Sequence, residues 1–254
     1  MSETLAEALD EALKKPDSEP ELVSWEDDET SGTLFLRAGS TLACGALLLW
    51  AQRSAPIAPG TDWGRWIWAA VLCNLLLPLG VVWLFFAQSL THLAWLKDQK
   101  YNAWSYGWNF AGWKRHLKIT FVCLIVMLPL MLYYVQVPGV RNYYLNYFPL
   151  VGSTPALFRL LATTALYMLC WEWFFRGFLL FGMAQGFGFV LAIALQAGLF
   201  GLAHWNKPPL EMYSSFVGGA LLGVLCWREK SFAPAFYIHA LIHLLWIVII
   251  VANL

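Results

Sequence analysis

Charge is what this chain has least of. Only 13% of its 254 residues are Asp, Glu, Lys or Arg, where a soluble domain carries about a quarter. Acidic residues are scarcest of all beyond the start. Eleven of the 16 fall within the first 29 positions, and only Asp62, Asp98, Glu172, Glu211 and Glu229 follow. Basic residues are equally few, and the formal net charge is zero. With no basic face to neutralise phosphates, nucleic-acid binding is excluded. Cysteine is sparse and scattered: Cys44, Cys73, Cys123, Cys170 and Cys226 stand singly in apolar sequence, without CxxC or Cys/His spacing. That excludes a disulfide framework and a thiolate zinc site, and the five read as small buried hydrophobes.

Apolar sequence fills the space that charge leaves. The chain is 59% hydrophobic, with a mean hydropathy of +0.58. A membrane span needs about 20 mostly apolar residues, and suitable stretches run roughly over 33–51, 66–95, 118–136, 158–184, 187–204, 211–227 and 232–252. The fold class is therefore all-α, a polytopic transmembrane helical bundle of about seven helices, or eight if Pro78-Leu79-Gly80 splits the long second one. Residues 1–31 form an acidic tail rich in Glu, Asp, Ser and Pro, expected to be a disordered or weakly helical cytosolic extension. It lacks the basic-then-apolar order of a secretory signal.

Residues 32–154 hold the N-terminal membrane helices, and 155–254 a second group of helices that carries the polar residues discussed below. Within the first group, segment 97–117 interleaves Trp and Tyr with Lys and reads as an interfacial helix. Lys97, Lys100, Lys114, Arg115 and Lys118, with Arg228 and Lys230, place these connections in the cytoplasm and the N-terminus with them. The 15 Trp and ten Tyr cluster near predicted helix ends, Tyr143, Tyr144 and Tyr147 among them, as aromatic belts do. His92 and His116, beside the basic connection, read as interfacial too.

Against this background Glu172 stands out, a carboxylate with apolar sequence on both sides. Such a residue costs roughly 2.5–3.5 kcal/mol at membrane depth and is usually paired, inward-facing and functional. Arg176 lies four residues on, the spacing that puts two side chains on one helix face. Phe200 and His204 repeat that spacing, and so do His239 and His243 on the last predicted helix. Each helix thus offers one polar stripe, and the cheapest burial brings the stripes to a common site. A glutamate with three imidazoles offers general-base chemistry or a metal site, although HExxH is absent.

The order Glu-x-x-x-Arg-Gly, then Phe-x-x-x-His, then His-x-x-x-His resembles the CAAX protease and bacteriocin-processing family of intramembrane endopeptidases. It is carried by Trp171-Glu172-Trp173-Phe174-Phe175-Arg176-Gly177, by Phe200-Gly201-Leu202-Ala203-His204 and by His239-Ala240-Leu241-Ile242-His243. The resemblance covers roughly residues 155–250 and marks 155–254 as the catalytic core. It implies hydrolysis of a peptide bond within the membrane, in a membrane-anchored or lipidated protein. Glu172 and His204 would activate the water, His239 would donate to the oxyanion, and His243 stands where many members have Asn. Arg176 would position the carboxylate, with Phe200 in support. The family's first motif begins with two adjacent glutamates, of which Glu172 matches the second while Trp171 holds the first.

Two other readings accompany this one, a catalytically inactive relative serving as an immunity or scaffold protein and a small transporter using the same polar residues. No cofactor is expected, with zinc an open alternative. The partners implied are a protein substrate and the bilayer, in a bacterial cytoplasmic membrane.

Overall fold

The computed structural model describes residues 31–57, 59, 62–83, 106–148 and 151–252. Residues 1–30 of the acidic tail, His92 and the first part of segment 97–117 lie outside the described residues. Among the described residues eight helices carry the fold: α1 Ser31–Ser54, α2 Trp63–Val81, α3 Trp113–Tyr134, α4 Pro138–Tyr147, α5 Thr154–Glu172, α6 Gly182–Ala203, α7 Pro209–Glu229 and α8 Ala233–Ala252. Between α5 and α6 the chain stays helical over Trp173–Phe181 with the wider i→i+5 turn. No strand is present among the described residues.

Local chemistry sets the ends. At α5 the Ser153 hydroxyl accepts from the Ala156 N–H, and Pro155 occupies the first turn, where its missing donor costs nothing. At α7 Pro209 opens the helix and Lys230, in the left-handed region, closes it. Pro78 cannot donate to the carbonyl of Asn74, and α2 absorbs this with a wide turn at Leu72–Leu76. The helix therefore stays continuous where a split was conceivable.

Among the described residues six helices are long and apolar enough to cross a membrane, and this is a multi-pass membrane protein. One of the six, Thr154–Ala203, is 50 residues long, about 75 Å at 1.5 Å per residue and far more than the roughly 30 Å core of a bilayer. Gly188 resolves the excess: at φ +74° and ψ 163° it turns the chain back on itself. Trp171 then meets His204, with ring centroids 6.2 Å apart, and Phe175 meets Phe200 at 5.1 Å. Residues 154–187 and 189–203 are thus antiparallel neighbours, a helical hairpin rather than one continuous rod.

Gly188 occupies a backbone region essentially reserved for glycine, with costs of about 1–3 kcal/mol for other residues. A Cβ there would meet no atom within 4 Å, so the cost is purely conformational. Gly188→Ala is expected to lower unfolding stability in detergent by that amount, read as a shifted denaturation midpoint. An unchanged midpoint would mean that the reversal tolerates a side chain. Two residues earlier the limit is steric, since a Cβ on Gly186 would lie 2.2 Å from the Leu34 carbonyl oxygen of α1.

The wide-turn segment Trp173–Phe181 is apolar nearly all round, and all nine residues are buried. A helix of that kind belongs at the centre of a bundle. α1, α2, α6 and α7 surround it, while α3 and α4 pack against α8 in a second cluster around Met131, Tyr144, Leu160 and Ile247. One sequence expectation is corrected here. His116 is fully buried rather than interfacial: its Nε2 lies 3.2 Å from Glu229 Oε2, and Arg115 Nη2 lies 3.1 Å from Oε1. The start of α3 docks on the end of α7, and the Glu229 carboxylate draws both side chains inward.

Candidate functional site

Glu172 is the last residue of α5 before the turns widen, and it is completely buried. Arg176, also completely buried, brings Nη1 to 2.8 Å from Oε2. Its N–H groups do not line up for a hydrogen bond to the carboxylate, so the contact is ionic. Instead the guanidinium lies over the Phe200 ring, 4.1 Å from its centre, a cation–π contact strengthened by the absence of water. The other carboxylate oxygen, Oε1, is closely bonded to His239. Because a carboxylate only accepts, His239 Nδ1–H is the donor.

Phe200 ties the remaining parts together. Its carbonyl accepts from His204 Nδ1–H at 2.7 Å, which fixes His204 at the end of α6 with Nε2 as the free nitrogen. Its ring contacts His204 at 4.6 Å and His239 at 5.8 Å between centroids. His243 follows one turn after His239, 6.2 Å from it, with its ring edge-on to Phe148. The structure therefore gathers Glu172, Arg176, Phe200, His204, His239 and His243 into one neighbourhood. No hydrogen bond joins Glu172 to His204 among the described residues.

A cavity of about 250 Å³ opens beside this cluster. Trp171, His204, His239 and His243 line it, and Glu172 does not. Successive helix positions point about 100° apart. With Glu172 facing Arg176 and His239, Trp171 is the neighbour that faces the space.

The rest of the lining was not singled out by the sequence. Gln52 and Arg53 come from the end of α1, Tyr143 and Tyr147 from α4, and Lys207 from the loop after His204. That loop is clamped on two sides. Arg53 donates to the carbonyls of Ala203 and Trp205 at 2.6 and 3.0 Å. Glu211 accepts from Lys207 at 2.6 Å and closely from the Tyr144 hydroxyl. Burial and the Glu211 charge push the Tyr143 hydroxyl up to about 12 and raise Tyr147 too. Both phenols are therefore neutral donors toward the cavity at ordinary pH. The pattern Tyr143/Tyr147 reads equally well as an interfacial belt, and only the tertiary placement of α4 distinguishes the two.

No three His, Cys, Asp or Glu side chains converge at metal-binding distance among the described residues. Both Nδ1 atoms of His204 and His239 already serve protein oxygens.

Comparison with known proteins gives a family match. Residues 153–245 fit the family model described as Type II CAAX prenyl endopeptidase Rce1-like. The matched stretch contains Glu172, Arg176, Phe200, His204, His239 and His243, and leaves out Gln52, Arg53 and α4. No curated protein and no solved structure matches the chain.

Proposed function

From residues 153–245, which match the family model of the Rce1-like type II CAAX prenyl endopeptidases, we propose an intramembrane endopeptidase. It hydrolyses a peptide bond of a membrane-anchored or lipidated protein, in a bacterial cytoplasmic membrane. One observation carries the reading: His204 and His239 line a single cavity, each held through Nδ1 by a buried oxygen so that Nε2 is left for chemistry.

In this reading His204 Nε2 accepts a proton from a water in the cavity, and the water oxygen attacks the substrate carbonyl carbon. His239, carrying protons on both nitrogens, donates from Nε2 to the developing oxyanion. Preorganised donors of this kind are typically worth about 10²–10³ in rate. As the C–N bond breaks, the proton on His204 passes to the leaving amine. Glu172 acts behind His239, holding the ring's orientation and its charge, and Arg176 balances that carboxylate. The neutral hydroxyls of Tyr143 and Tyr147 and the cation of Lys207 offer further donors to substrate carbonyls.

The test is cleavage of a fluorogenic prenylated CAAX peptide by the full-length protein in liposomes. Wild type is expected to release the C-terminal fragment, and His239→Ala to lose about 10²-fold or more in kcat, the usual value of one oxyanion donor. Equal turnover in the two proteins would remove His239 from the reaction.

Trp171 favours a second reading, that of a catalytically inactive relative, because an indole fills the lining position beside Glu172. That protein would bind the peptide and release no product, with Trp171→Glu the substitution most able to restore turnover.

A further inference from the structure

We propose that Gln52 binds substrate, its side-chain amide pairing with a main-chain amide of a peptide held in the cavity. The inference rests on the endopeptidase reading above and assigns part of the peptide-binding surface to α1, outside the matched segment.

Gln52 lines the cavity and is only 2% exposed. Neither its Nε2 nor its Oε1 has a hydrogen-bond partner among the described residues. A buried amide left unpaired is destabilising, whereas an apolar side chain of the same size would fill the position without that cost. The cost is recovered once a ligand supplies both partners. A primary amide presents N–H donors and a C=O acceptor in one plane, the complement of the N–H and C=O of an extended peptide.

Position strengthens the assignment. The next residue, Arg53, fastens the end of α1 to the carbonyls of Ala203 and Trp205, the neighbours of His204 on either side. Gln52 is thereby held at a fixed register to the imidazole that faces the scissile bond. Trp171, His204 and His239 line the same space, so a peptide reaching the imidazoles passes within reach of α1. Among the described residues the lining includes no carboxylate to repel the carbonyl oxygens of a peptide.

The test substitutes Gln52→Met, which keeps length and volume while removing donor and acceptor. Full-length protein in liposomes is assayed with the prenylated CAAX peptide, and binding is measured with the same peptide carrying a reduced, uncleavable scissile bond. KM is expected to rise about tenfold, the equivalent of one or two net hydrogen bonds, with kcat within about twofold and thermal stability equal or higher. His204→Ala should move kcat instead.

If wild type cleaves and Gln52→Met leaves KM unchanged, the amide serves only cavity water and the inference is overturned, while the endopeptidase reading stands. A raised KM accompanied by a clear loss of thermal stability overturns it as well, because packing then explains the effect. If wild type binds the uncleavable peptide but cleaves nothing, the endopeptidase reading falls. Gln52 is then judged by Kd: tenfold weaker binding upholds it and equal binding overturns it. A wild type that neither cleaves nor binds overturns both.

Discussion

Glu172→Ala is expected to abolish peptide hydrolysis and to destabilise the protein by about 3–5 kcal/mol, the usual result of leaving one partner of a buried ion pair uncompensated. The size follows from the surroundings of Arg176. Its guanidinium is completely buried, and Glu172 is the one carboxylate in contact with it among the described residues. The Phe200 ring beneath it gives on the order of 2 kcal/mol in dry surroundings, less than the several kcal/mol that an unpaired buried charge costs. His239 loses its Nδ1 acceptor at the same stroke. Glu172→Gln separates the two effects. The glutamine oxygen can still accept from His239 Nδ1–H, so much of the fold survives while the charge behind the ring is gone.

A double substitution sharpens the test. Replacing both Glu172 and Arg176 by leucine removes two buried charges together, and such replacements are often neutral or stabilising. The pair Glu172→Leu/Arg176→Leu should therefore recover most of the stability lost in Glu172→Ala and none of the hydrolysis. Denaturation midpoints in detergent and peptide release in liposomes measure the two quantities independently. A Glu172→Ala protein as stable as wild type would show that Arg176 finds its compensation elsewhere.

His204→Ala has the second largest expected effect, this time on rate. Removing a positioned general base usually costs about 10²–10⁴-fold, and the loss should appear in kcat with KM little changed. Stability should fall only modestly, because the imidazole makes a single hydrogen bond, to the Phe200 carbonyl. The loop around it is secured independently by Arg53, Lys207 and Tyr144. A kcat within threefold of wild type would remove His204 from proton transfer and move that role toward His239 or His243.

Local spacing made the polar half of this site legible in the sequence. Glu172 and Arg176 meet because four residues make nearly one turn, and the same rule aligned Phe200 with His204 and His239 with His243. The hydropathy pattern likewise separated 158–184 from 187–204, and the reversal falls within two residues of that gap, at Gly188.

What spacing could not reveal was direction. Whether Trp171 or Glu172 faces open space depends on how α5 is rotated against α6 and α8, a property of three helices at once. The cavity wall was hidden for a related reason. Gln52, Arg53, Tyr143 and Tyr147 reach it through contacts distant in sequence, and none carries a motif. His116 was misread because a histidine beside lysines suggests water, while its partner Glu229 lies 113 residues away.

The Gly188 reversal also bears on how the protein is inserted during synthesis. From Gly177 to Asn206 the chain carries no Asp, Glu, Lys or Arg, so the turn between the two arms of the hairpin holds no charge for the insertion machinery to retain on one side. The hairpin must take its sidedness from a neighbour. The start of α1 fits that role, since it packs directly against the turn at Gly186 and sets Phe35 edge-on to Phe187 at 5.2 Å. α1 also leaves the ribosome more than a hundred residues earlier. It can stand in the bilayer as a template before the hairpin arrives, and His204 at the hairpin's far end reaches its depth by docking rather than by a charge signal of its own.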